Sequence, residues 1–378
     1  MYRWNLDNIK EKQKYVQDRL KNDSLDDNER KKLELTLLSY YGIISNSGGI
    51  HITQIANLDI LRSKGKGFSL IHNTKYKQIK EKHSIKEFAI SDDYLSFLIL
   101  ICNNLSNKYI EMGNLDKVDI AEKEIVDISR KFYESFDEEM SDIATRALSP
   151  EKSFVNFSDT FNPAYEGAFG ITFHDYLFNE SYFTVKKSST LYDLISLNHE
   201  VMHGIEFQMR PKLFDTDFYG FHEIATHTTD LIFLDYLHEN NLYSEYVDEI
   251  LKRKLFFTEI LASKTVNDIK RRIAKNNNIN ILEQPNFEFS YDAVKEIIGQ
   301  IYIPDLLELV SILVSQIIFN KYKNNKVDGL ETLKNFIRTP LPKDETPSFD
   351  HLGITKEDII LLSENYYSTP IEQNKKQI

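Results

Sequence analysis

Apolar and charged positions alternate at helical spacing from residue 1 to about 45, broken once by "NDSLDDNE" at 22 to 29. That pattern predicts a helical hairpin. The same spacing returns from Ser91 to about Met140, opening on "SDD", an N-cap signature, and turning at "GNLDK", residues 113 to 117. After about Leu148 the periodicity fades into a stretch rich in Phe, Tyr, Thr and Gly, within which "SYFTVKK" at 181 to 187 reads as a strand entered through a turn. Helical spacing resumes at Thr190 and dominates to the end, apart from loops at 210 to 220, 275 to 289 and 339 to 350. The expectation is a mainly α chain with one small β-sheet, divided into a helical N-terminal region, 1–150, and a second region, 151–378.

Composition narrows the partners. A chain of 378 residues with 13 Gly and 9 Pro suits a largely helical fold rather than a sandwich of short strands. The formal charge of −12 argues against nucleic acid or an anionic membrane surface as partner. The basic cluster "RSKGKG" at 62 to 67 lacks a preceding strand and P-loop spacing, so it reads as a solvated loop. Cys102, the single cysteine, sits in the apolar run "YLSFLILIC" and reads as a buried thiol in a reducing compartment. No run approaches the ~20 apolar residues of a membrane helix, and the first residues lack the apolar core of a signal peptide. A cytoplasmic location follows as an expectation; the sequence is silent on oligomeric state.

Chemistry concentrates after Thr190. In "TLYDLISLNHEVMHGIEFQM", Thr190 and Asp193 form a start resembling a capping box, so the segment is read as a helix. Leu191, Leu194, Ile195, Val201, Met202 and Ile205 line its apolar face, while His199 and His203 project together one turn apart. Two imidazoles at that spacing can share a metal ion, with Glu200 beside them as a proton acceptor. A random chain this rich in His and Glu spells His-Glu-x-x-His about two times in a hundred, so a third ligand is needed. "GFHEIATHTTDLIFLDYL" supplies one: Glu223, His227 and Asp230 share a helical face, and Glu223 follows His203 by enough chain for a loop and a return helix. In that arrangement Asp230 orients a zinc histidine, and His227 is a further polar candidate.

These two segments resemble the M3 family of zinc peptidases, the thimet oligopeptidase and oligoendopeptidase F family. The resemblance covers roughly residues 155 to 370 and is specific between Thr190 and Asp230. It implies a zincin-like fold with a helical lid, one Zn2+ per chain on His199, His203 and Glu223, Glu200 as general base, and Asp230 in support. It also implies a peptide substrate. "YEGAFGITF" and "YFTVKKSST" look like the family's glycine-containing segment and the strand that pairs with bound peptide, which makes Gly167, Ala168, Tyr182, Phe183, Thr184 and Val185 the substrate-binding candidates. The chain departs from the family in a late helix that carries tyrosines donating to the tetrahedral intermediate. The matching stretch "IIGQIYIPDLLELVSILVSQIIF" has Gln300 and Tyr302, but Leu306, Glu308 and Val310 at tyrosine positions. Losing such a donor costs about 10² to 10³ in rate, so either Tyr291 or Tyr302 substitutes or the activity is low or absent. Met202 and Glu206 also stand where the family has glycine and histidine. The expected function is therefore a zinc metalloendopeptidase acting on oligopeptides. The rivals are a zinc-binding homologue without catalysis and a helical protein whose histidines are incidental.

Overall fold

The computed structural model describes residues 2–22, 24–47, 91–111, 117–158, 169–210, 221, 223–279, 291–297, 303–339 and 348–367. In chain order the elements are α1 (Leu6–Arg19), α2 (Asp27–Ser47), α3 (Asp92–Leu105), α4 (Glu122–Tyr133), α5 (Glu138–Ala147), β1 (Val155–Ser158), β2 (Gly170–Asp175), β3 (Glu180–Lys186), α6 (Tyr192–Met209) and α7 (Glu223–Glu239). They continue as α8 (Ser244–Asn276), α9 (Tyr291–Lys295), α10 (Ile303–Asn324), α11 (Lys326–Arg338) and α12 (Lys356–Asn365). The chain is mainly α with one small sheet, as the periodicity predicts.

The expected N-terminal hairpin is α1 and α2. Ser91 caps α3, its hydroxyl accepting from the Tyr94 amide. The second helical stretch is three helices rather than two, because Asp137 caps a new helix, α5, by accepting from the Met140 amide. The turn read at 113 to 117 lies, up to Asp116, outside the described residues, as does the basic cluster at 62 to 67.

Contacts group the chain into two compact units that do not follow chain order: residues 1–86 with 116–211, and residues 87–115 with 212–378. The first is layered around the sheet, whose order is β1-β3-β2. Strand β3 runs parallel to β1, with Val155 opposite Phe183, and antiparallel to β2, with Thr172 opposite Phe183. One face carries Phe173, Asp175 and Tyr182, which meet α1 and α2: Trp4 packs edge-on against Phe173, Lys12 donates to the Tyr182 hydroxyl at 3.0 Å, and the Tyr40 hydroxyl donates to Asp175. Asp175 also accepts from the Leu177 and Phe178 amides, both at 3.0 Å, fixing the turn into β3. The opposite face carries Gly170, Thr172, His174, Ser181, Phe183 and Val185, the alternation a period of two demands. Helix α6 lies on that face. Its approach depends on Gly204, where a Cβ would come within 2.8 Å of the Phe183 ring.

The register corrects one expectation. Tyr182, Phe183, Thr184 and Val185 were to offer a free edge to peptide, but β3 is the middle strand, paired on both sides and buried at all four positions. Its backbone groups are already in ladders. Gly167 and Ala168, the other two candidates, lie outside the described residues.

The second unit is helical. Helix α10 packs against α7, α8, α11 and α3, with Leu309, Val310, Leu313 and Val314 at 0% exposure in its core. Helix α11 turns back tightly from α10: Asn325 caps it, and a Cβ on Gly329 would come 2.2 Å from the Tyr322 backbone. Cys102 is buried as expected. Among the described residues, no helix is long and apolar enough to cross a membrane.

Candidate metal centre

Helix α6 starts at Tyr192, one residue later than the capping reading placed it. The Asp193 carboxylate does reach back, but to the Ser188 amide at 2.7 Å and the Ser189 amide at 3.1 Å, while the Thr190 hydroxyl accepts from the Tyr192 amide at 3.3 Å. Asp193 thereby anchors the loop between β3 and α6 rather than the first helical turn. Its burial raises its pKa against those hydrogen bonds.

All six residues assigned to the apolar face are buried, including Met202, which occupies the core at a position where the family has glycine. Helix α6 is buried on nearly every side, and the exceptions matter: His199 and His203 are half-buried, with ring centroids 5.0 Å apart. The backbone that carries them is braced from α4. The Tyr133 hydroxyl donates to the Asn198 carbonyl at 2.7 Å, and the Asn198 side chain donates to the Ser129 hydroxyl at 3.1 Å.

Glu200 is buried against β2. The Thr172 hydroxyl lies 2.7 Å from its Oε2 and 2.8 Å from its backbone oxygen, and the space for its carboxylate exists because residue 170 is glycine. One turn on, Glu206 is buried with Arg210 as its ion-pair partner, and its Oε2 lies 3.8 Å from His203 Nδ1. Neither Thr172 nor the Glu206–Arg210 pair was singled out from sequence for this role. Thr172 belongs to another element 28 positions away, and only the departure from the family's histidine drew notice to Glu206.

In the second unit, Glu223 opens α7 and its carboxylate accepts from the Thr226 hydroxyl at 2.9 Å. His227 and Asp230 share its face, as expected. Asp230 is buried and accepts from Lys254 at 2.8 Å, with His227 Nδ1 3.9 Å away. His227 Nε2 is 2.7 Å from Glu308. Burial opposes charge on this imidazole, but Glu308 and Asp230 outweigh it and raise its pKa above the usual histidine value. At the neighbouring tyrosine positions, Leu306 and Val310 point into the core at 1% and 0% exposure. Tyr302 and the Tyr291 side chain lie outside the described residues.

Among the described residues, metal-ligating side chains are thus offered by His199 and His203 within the first unit, and by Glu223, His227 and Asp230 within the second.

The chain resembles two solved peptidase structures in fold. One, from Bacillus anthracis str. Ames and assigned as an oligoendopeptidase F, is 12% identical, with a TM-score of 0.50 over 96% of this chain and 79% of that one. The other, PZ peptidase A solved with an inhibitor, is 10% identical, with a TM-score of 0.51 over 95% of this chain and 71% of that one. The fold implied by the M3 resemblance is thus the fold the chain has: mainly helical and zincin-like, with a small sheet beside the helix carrying "HEVMH". No protein-family model and no curated protein matches in sequence.

Proposed function

We propose that the protein is a zinc-dependent metalloendopeptidase of the gluzincin type that hydrolyses oligopeptides, with His199, His203 and Glu223 holding one Zn2+ per chain. What supports this reading is the His-Glu-x-x-His spacing on α6, which sets the His199 and His203 rings 5.0 Å apart, together with the fold the chain shares with two solved peptidases. Two imidazoles and a carboxylate are the donor set of a catalytic zinc site with an open position.

Zinc bound there would polarise a scissile carbonyl and make water acidic near neutral pH. Glu200 takes the proton of the attacking water and delivers it to the leaving amine. Asp230 and His227 support the ligands from α7. Peptide pairs with the outer edge of β2 near Gly170 to Thr172, where the sheet carries no further strand among the described residues. In this reading residues 151–378 form the catalytic region and 1–150 the helical lid region; the protein works in the cytoplasm, on peptides rather than nucleic acid or membrane.

A second reading, a zinc-binding homologue with impaired catalysis that holds a peptide or protein partner, is favoured by one observation. Leu306 and Val310 are core residues where the family's oxyanion donors are expected, which leaves Tyr291 or Tyr302 to serve.

Metal analysis after dialysis against buffered zinc tests the site. Wild type and Glu200→Gln retain one equivalent, and Glu223→Ala retains little. Zinc absent from wild type, or equal retention by Glu223→Ala, would contradict the ligand set.

A further inference from the structure

The geometry points to Thr172 as the residue that positions Glu200, with Gly170 shaping the space the carboxylate occupies. This inference rests on the peptidase reading and adds residues that neither the motif nor its third ligand predicts.

Three contacts along α6 register it on the sheet. Glu200 sits over Gly170 and Thr172, Gly204 over Phe183 and Ser181, and Phe207 stacks on His174 with ring centroids 5.2 Å apart. The spacing of 200, 204 and 207 is the helical i, i+4, i+7 repeat, meeting strand positions two apart. At the first contact the helix meets polar rather than apolar atoms. The Thr172 hydroxyl sits between the backbone oxygen of Glu200, at 2.8 Å, and its own carboxylate, at 2.7 Å. The single hydroxyl proton is donated to one of these oxygens or shared between them, so the backbone and the carboxylate of Glu200 meet β2 at one point, which removes rotamers that an otherwise unbranched glutamate would sample. Gly170 closes the other side. A Cβ there would come 2.6 Å from both Cγ and Oε1 of Glu200, so any larger residue forces the carboxylate off its position. A general base must lie within hydrogen-bond reach of the proton it takes, and a misplacement of about 1 Å costs about 10²-fold.

The test compares wild type with Thr172→Val, Thr172→Ser and Gly170→Ala. Thr172→Val keeps the shape of the side chain and loses the hydroxyl. The expected result is a kcat reduced about 10- to 100-fold with KM and zinc content unchanged, and near-complete recovery in Thr172→Ser. Gly170→Ala is expected to lose kcat in the same way. A readout independent of turnover is the crystal structure of each metal-free variant: the Glu200 carboxylate is expected at the wild-type position in Thr172→Ser and displaced in Thr172→Val and Gly170→Ala. Wild-type kcat in Thr172→Val, or an undisplaced Glu200 there, would overturn the positioning role and leave the peptidase reading standing. A zinc-loaded wild type that cuts no peptide would overturn the peptidase reading, and the positioning role of Thr172 in catalysis with it.

Discussion

His174 hydrogen-bonds Ser181 at 2.9 Å under the ring of Phe207, and burial lowers its pKa to about 3. In the unfolded chain the same imidazole takes a proton near pH 6.5. Between those values the unfolded state binds one proton more than the folded state, so stability falls as the pH drops below about 6.5. Urea unfolding at pH 7 and pH 5 should show wild type losing about 2 kcal/mol more than His174→Asn; equal losses would mean that the folded protein admits the proton. The buried Glu206–Arg210 pair behaves differently. Arg210→Met strands a carboxylate at 1% exposure and should cost about 3 to 5 kcal/mol, while Arg210→Met combined with Glu206→Leu should recover most of that, measured by urea unfolding of the zinc-free protein. Residues of this kind were the least legible in the sequence. His199, Glu200 and His203 announce themselves because one helix fixes their spacing, whereas Thr172, Lys254 and Glu308 acquire partners only when separate elements meet.

At the scale of elements, the sequence indicated helices well and the sheet less well. Caps such as Ser91 and periodic runs such as 192 to 209 are local signals. Which side of a strand is free is not local. The run 180 to 186 alternates like any strand, and only β1 closing on one side and β2 on the other make it the middle of the sheet. The proposed peptide-pairing edge is placed on β2 for that reason. The interlock of α6 with the sheet makes a separate prediction. Gly204→Ala gains about 1 kcal/mol of helix propensity but forces a methyl within 2.8 Å of the Phe183 ring, so overpacking of about 1 to 3 kcal/mol should leave the protein less stable. A raised urea midpoint would show that the helix can lift off the sheet without loss.

For the whole molecule, folding and metal binding are linked under the proposed function, because the three ligands come from helices separated in sequence. Free zinc at a thousand times its dissociation constant adds about 4 kcal/mol to the folded state, so chelation should lower the melting temperature of wild type and leave Glu223→Ala nearly unmoved. The measurement closest to the central claim is mass spectrometry of a mixed peptide pool incubated with the zinc-loaded protein, beside Glu200→Gln loaded with zinc to the same level. The account predicts new peptide ends with wild type and none with the variant. Intact peptides in both, or equal cleavage by both, would contradict it.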